Sequence, residues 1–357
     1  MYWPQVTTRV AALTWINMLH EKDANEMNKF IGDLLPALLK TLSDTADEVV
    51  LINLQVTWRY FPIELASIFF CWWKLCTLQV IARICINEQQ FQRVLNALVQ
   101  LFFEDRPLLE TRGALIIRKL CALLDCQKIY RSLASIMVKS DLEFCSTIVQ
   151  TLNLILLTAP ELSPLRKLLQ ECALQPQNDD DIFNVLFRCW CHNPVATFSL
   201  CLLSQTYDLS ADLVHKFAEV DVTVGFLMQI DKLVQLIESP VFIRLRLQLL
   251  DVDSPFHADL LKSLYGLLML LPQSQAYKTL SDRLATVSSL KMHLAFNVPV
   301  MGGAVASSSP NGGVRVADYS NLLSHFQEIQ NSHYTFRLSV FQQKKLIKSI
   351  TSPTDEK

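Results

Sequence analysis

The chain has 357 residues, a formal net charge of −2 and 51% hydrophobic residues. That length holds two or three ordinary domains or one elongated repeat array, and the apolar fraction supplies a large core. A charge so near zero, without basic or acidic blocks, argues against nucleic-acid binding and against strong electrostatic attraction to a membrane.

Ten cysteines without regular spacing are expected to be reduced, mostly buried thiols of a cytosolic protein. Met1-Tyr2-Trp3-Pro4 lacks the basic and apolar regions of a secretory signal. Only eight glycines occur, and four of them (Gly302, Gly303, Gly312, Gly313) crowd one short window. The remainder has too few for many tight β-turns, while leucine-rich segments recur at helical spacing. The expected fold is all-α, an α-solenoid of HEAT/armadillo-like repeats with a C-terminal helical module and a terminal helix after a flexible linker.

In chain order, residues 5–20 set Val6, Val10, Leu13 and Ile16 on one helical face. Glu26–Leu42 is predicted as a second helix, bent at Pro36 because an interior proline costs about 3 kcal/mol in a straight helix. Ser43–Glu48 supplies capping residues and opens a third. Paired helices with a bent member fit HEAT-type repeats of about 40–47 residues, so 1–56 reads as partial repeats.

Residues 57–80 break the rhythm. Leu54-Gln55-Val56 recurs as Leu78-Gln79-Val80, and removing 24 residues restores the period between Thr8-Arg9 and Thr111-Arg112. The segment is expected to be an insertion, of the kind an in-frame retained intron leaves. The alternatives are an ordinary buried helix, a ligand box built on its aromatic residues, or a membrane span. The last is poor, because Glu64 and Lys74 leave nine uncharged residues, Leu65–Trp73, against the roughly 20 that crossing needs.

Residues 81–173 resume the repeats, ending segments near Pro107, Asp125, Ser140 and Pro160. Gln175–Asp181 is the acidic loop, where Asp181 either marks a boundary or caps the next helix. Residues 182–286 form the expected C-terminal module, 287–317 the flexible linker, 318–348 the terminal helical segment and 349–357 a disordered tail. Within the terminal segment, Asp318–Asn331 is a short amphipathic helix with Leu322, Leu323, Phe326 and Ile329 on one face, and it needs a partner surface.

Residues of catalytic type do not assemble into a reaction. Cys189, Cys191 and His192 give C-x-C-H without a second pair to complete a tetrahedral zinc site, and neighbouring helical residues diverge by about 100°. Asn193-Pro194 reads as N-cap and first helical position. Asp179, Asp180 and Asp181 are consecutive and fit a solvated loop. Arg244 and Arg246 alternate with Ile243, Leu245, Leu247 and Leu249, as a strand would. With no partner strand in sight the segment reads as a buried helix, whose Arg244–Gln248 stripe is either paired internally or faces a partner. No phosphate-binding, hydrolase or metalloprotease motif occurs, and no cofactor is expected.

Several runs carry a resemblance: Trp190-Cys191-His192-Asn193-Pro194-Val195, Ser199-Leu200-Cys201, Val222-Thr223-Val224, Asp231–Glu238, Leu245–Asp251 and Leu264–Ser274. Together with Thr8–Leu13, Leu38–Asp44, Arg112-Gly113, Ile116–Arg118, Asp318-Tyr319 and His325-Phe326, they resemble the vacuole-morphology scaffold family, also called the associated regulator of PIKfyve. The resemblance implies a non-catalytic scaffold of the phosphatidylinositol 3,5-bisphosphate regulatory complex on the cytosolic face of endosomal or vacuolar membranes. It further implies two partners, a PIKfyve-type lipid kinase held by the repeats and a Sac-domain phosphoinositide phosphatase held by the C-terminal module, together with self-association. The chain begins partway through the family's repeats, which bears on the kinase. Trp190, His192, Asn193, Asp231, Lys232, Arg244, Arg246, Asp251 and Tyr265 are the candidate partner contacts. A generic HEAT/armadillo adaptor in vesicle traffic is the second reading, and an enzyme with a Cys191/His192 centre the third.

Overall fold

A computed structural model describes residues 88–138, 140–172, 181–219, 222–296 and 319–351, with short pieces between 15 and 37. The expectations for the inserted segment 57–80, most of 1–56, most of the acidic loop, the glycine-rich part of the linker and the end of the tail lie outside these residues. Every regular element among the described residues is helical and none is a strand, so the fold is all-α.

The chain divides into two compact units, one of residues 1–139 with 159–162, the other of 140–158 with 163–357. In the first unit, α1 (Glu88–Glu104), α2 (Ala114–Leu123) and α3 (Cys126–Met137) bury Phe91, Leu95, Ile117, Tyr130 and Leu133. Asp125 starts α3 by accepting a hydrogen bond from the Gln127 amide at 3.1 Å, the local bond an N-cap exists to make. Arg106–Leu108 and a π-helical turn, Leu109–Gly113, precede α2, so the apolar run from Arg106 is not one regular helix. Arg118 pairs with Glu161 at 3.1 Å and fastens the short helix Pro160–Leu162 to α2.

The second unit is built on α4 (Leu142–Thr158), α5 (Ser163–Cys172), α6 (Ile182–Trp190), α7 (Pro194–Ser204), α8 (Tyr207–Lys216), α9 (Val224–Ile237), α10 (Ile243–Leu250), α11 (His257–Leu270), α12 (Gln275–Phe296) and α13 (Ser320–Thr351). Contacts run mainly between helices adjacent or two to three apart in sequence, the local packing of an α-solenoid. Helix α7 is its pillar: Val195 through Ser204 are all buried. Its hydroxyls bond inward, Thr197 to the Trp190 carbonyl at 2.7 Å and Ser204 to the Leu200 carbonyl at 2.9 Å, so each hydroxyl on this helix is paired despite its burial. Asn193 and Pro194 take the cap and first-turn positions read from the sequence, with Asn193 Oδ1 accepting from the Ala196 amide at 3.0 Å.

Helices α8 and α11 meet closely because Gly266 lacks a side chain; a Cβ there would lie 2.1 Å from Val214 Cγ1. Ser210 and Ser263 share a hydroxyl hydrogen bond of 2.6 Å across the same contact.

Three expectations are corrected. Residues 243–250 are helical as read, but α10 is not buried. Only Leu245 and Leu249 reach the core, since one face of a helix this short is enough to anchor it. Helix α12 runs through Val287 to Phe296, ten residues into the stretch read as linker. Val287 is buried, and the stretch has no glycine or proline before Pro299 to stop it. The terminal helix runs from Ser320 to Thr351, so the short helix read at Asp318–Asn331 is only its first part and it continues three residues into the stretch read as tail, because nothing in its sequence breaks it.

Candidate partner-binding site

The polar residues of the module chiefly join helices. Asn153 Oδ1, on α4, accepts from both Trp190 Nε1 (3.2 Å) and Ser199 Oγ (2.9 Å), tying three helices at one atom. Asn193 Nδ2 donates to Gln229 at 2.9 Å, binding the start of α7 to α9. Tyr207 donates to Gln248 at 2.5 Å, and Gln248 in turn donates to Gln205 at 2.8 Å. Gln205, in the left-handed region at φ 63°, closes α7. Glu238 and Arg283 form a two-pronged ion pair that joins α9 to α12.

The terminal helix covers the ends of α6 and α8. Leu322 and Phe326 are buried, with Phe326 against Phe217, whose ring also meets Phe198 and Phe226 within 6 Å. Gln330 donates to the Cys191 carbonyl at 2.6 Å, and His333 Nε2 meets His192 Nδ1 at 3.0 Å. The amphipathic face read from the sequence thus finds its surface within the same chain. Beside it lies an open groove of about 540 Å³, lined by Glu143, Thr223, Phe336 and Arg337 among others.

Burial governs the titratable groups. It pushes the Cys145 thiol up to about 12 and likewise raises those of Cys189, Cys191 and Cys201. Burial, reinforced by His333 and His325, depresses His192 to about 4. Such thiols are poor nucleophiles, since the thiolate is the reactive form.

The candidate contacts fall into three groups. Trp190, His192 and Asn193 are buried and hold the frame. Asp231 is half-buried, accepting from Ser274 at 2.8 Å and Gln235 at 2.9 Å, and Arg246 donates to the Ile237 and Ser239 carbonyls at the end of α9. Lys232, Arg244, Asp251 and Tyr265 are exposed, Tyr265 bonding Ser288 at 3.1 Å. The structure therefore brings the first three together near α13 and leaves the exposed four along α9 to α11. Sequence reasoning missed the apolar side of α10: Ile243, Leu247 and Leu250, at i, i+4 and i+7, are 52, 60 and 48% exposed. It also missed Asn153, although an asparagine inside LNLILLT was a signal, and His333, for which no local pattern exists.

Among the described residues no group of acidic, cysteine or histidine side chains is arranged to hold a metal ion. No single described helix is long and apolar enough to cross a membrane. What the fold and its polar links define is a helical packing module with an apolar outer face on α10. Residues 106–287 match the family model described as Vacuolar protein 14 C-terminal Fig4p binding. The chain belongs to the vacuolar protein 14 family.

It is 39% identical to the VAC14 homolog of Arabidopsis thaliana over 91% of its own length and 42% of that protein. Identity to the Schizosaccharomyces pombe VAC14 homolog is 42%, over 79% of this chain and 32% of that one. With the Saccharomyces cerevisiae vacuole morphology and inheritance protein 14 it is 33%, over 80% and 29%. The chain thus spans less than half the length of these relatives. No solved structure matches it.

Proposed function

We propose that the chain is a non-catalytic scaffold of the phosphatidylinositol 3,5-bisphosphate regulatory complex, holding a Sac-domain phosphoinositide phosphatase through its C-terminal module. The observation that carries this is the exposed apolar face of α10, set inside the span matched by the Fig4p-binding model. Three apolar side chains on the outer side of a helix anchored by Leu245 and Leu249 form a compact hydrophobic patch with Arg244 at its flank, the composition of an interface core. Coupling to a PIKfyve-type kinase, self-association, and residence on the cytosolic face of endosomal or vacuolar membranes belong to the same proposal and are supported by family membership.

The test is binding of the full chain to the purified phosphatase, followed by light scattering. Wild type is expected to form a stable complex. Leu247→Glu, which changes an exposed side chain, is expected to weaken it at least tenfold with an unaltered circular dichroism spectrum. A wild-type chain that ignores the phosphatase sinks the scaffold reading; a Leu247→Glu chain that binds normally sinks only the assignment to α10.

A further inference from the structure

The contact between the terminal helix and the module has an unusual chemical composition. Its buried apolar part, Leu322 and Phe326, lies toward the start of α13, and its outer end is a pair of imidazoles. His192 is 8% exposed and sits in the turn between α6 and α7; His333 comes from 141 residues further on. Their rings meet edge to face with centroids 5.3 Å apart. The facing atoms, His192 Nδ1 and His333 Nε2, form one hydrogen bond, which needs a single proton between them. Two fully protonated rings would set N–H against N–H and two positive charges at the same short distance.

We propose that the His192–His333 pair makes the docking of α13 acid-labile, so that the terminal helix is a latch held at neutral pH and released in mild acid. The surrounding charges favour this. On α13, His325 and Arg337 both disfavour positive charge at the pair, His325 acting on His192 and Arg337 on His333. From the start of α4, Asp141 acts the opposite way on His333, but burial and Arg337 outweigh it and His333 remains below its ordinary value. Asp141 is also engaged as the cap of α4, accepting from the Phe144 amide at 3.2 Å. Glu143 lines the groove at the pair's open side. At the end of α8, Lys216 and Glu219 pair with each other at 3.4 Å and contribute little net charge.

A histidine whose value falls on docking is neutral when docked and protonated when free between the two values. Docking is therefore strongest above about 6.5, the free value, and weakens as pH falls, up to about tenfold per histidine for each unit. For His192 that window reaches down to about 4.

Hydrogen exchange of the full chain at pH 7.5 and 5.5, with labelling times scaled for the intrinsic rate, reads the latch directly. Residues 320–337 are expected to lose protection at least tenfold in acid while α7 and α11 keep theirs. Unchanged protection of 320–337, or equal loss in α7 and α11, overturns the proposal. The double variant His192→Gln/His333→Gln is expected to remove the acid response, and a persisting response also overturns it. His333→Lys, which carries a fixed charge, is expected to release the helix already at pH 7.5; full protection there would refute the latch without requiring the double variant to dock.

Discussion

Gly266→Ala is the sharpest probe of how the module is held together. The added methyl would lie 2.1 Å from Val214 Cγ1 and 3.2 Å from Val214 Cβ, whereas carbon atoms rest at about 3.5 Å or more. Closing that gap of about 1.4 Å by rotating Val214 is unfavourable, because a valine in a helix is confined almost to one rotamer and its Cβ would still be close. Helices α8 and α11 must separate, stretching the Ser210–Ser263 bond between them. Overpacking of this kind costs about 1–3 kcal/mol, and the better helix propensity of alanine returns about 1. A net loss of about 0–2 kcal/mol is expected, read as a lower urea midpoint with the slope unchanged. Val214 is half-buried, so Val214→Ala should cost about 1 kcal/mol alone yet relieve the clash in the double variant. A coupling energy of about 1–2 kcal/mol between the two changes is the predicted signature. A double variant no better than the sum of the singles would refute the close-approach argument.

Other consequences can be measured on the same protein. Asn153→Leu removes the acceptor shared by Trp190 and Ser199, so a loss of about 1–3 kcal/mol is expected by urea unfolding. Arg283→Lys keeps the charge but loses the two-pronged contact with half-buried Glu238; the expected cost is below about 1 kcal/mol. Cys145, Cys189, Cys191 and Cys201 should resist alkylation at pH 8 in the folded chain and react on unfolding, with the modified peptides identified by mass spectrometry. Rapid labelling of Cys191 without denaturant would contradict its burial.

The helical class was legible because a rule about backbone freedom, the scarcity of glycine, does not depend on tertiary context. The start of α7 was legible for a similar reason, since Asn193 and Pro194 act on groups within three residues of themselves. Burial of α10 was misread because alternating arginines and leucines fix neither which face points inward nor how many faces are covered. The end of α12 was misjudged because composition was averaged over a window that mixes VSSLKMHLAF with the glycines after it. The docking of α13 was half visible: Leu322 and Phe326 announced a buried face, but their counterpart Phe217 lies more than a hundred residues away. His192 could be judged structural from its neighbours, whereas its pairing with His333 belongs to the tertiary fold alone.

That separation also has a meaning in time. The chain is made from its N-terminus, so His192 and the surface around Phe217 leave the ribosome well before the helix that will cover them. With 141 residues between the two histidines, synthesis at about 5–20 residues per second leaves that surface bare for roughly 7–28 s. During this interval Phe217 and its neighbouring rings are open to any other hydrophobic segment in reach, including α13 of a nascent copy on the same message. Each newly made molecule must therefore either wait for its own α13 or borrow a neighbour's.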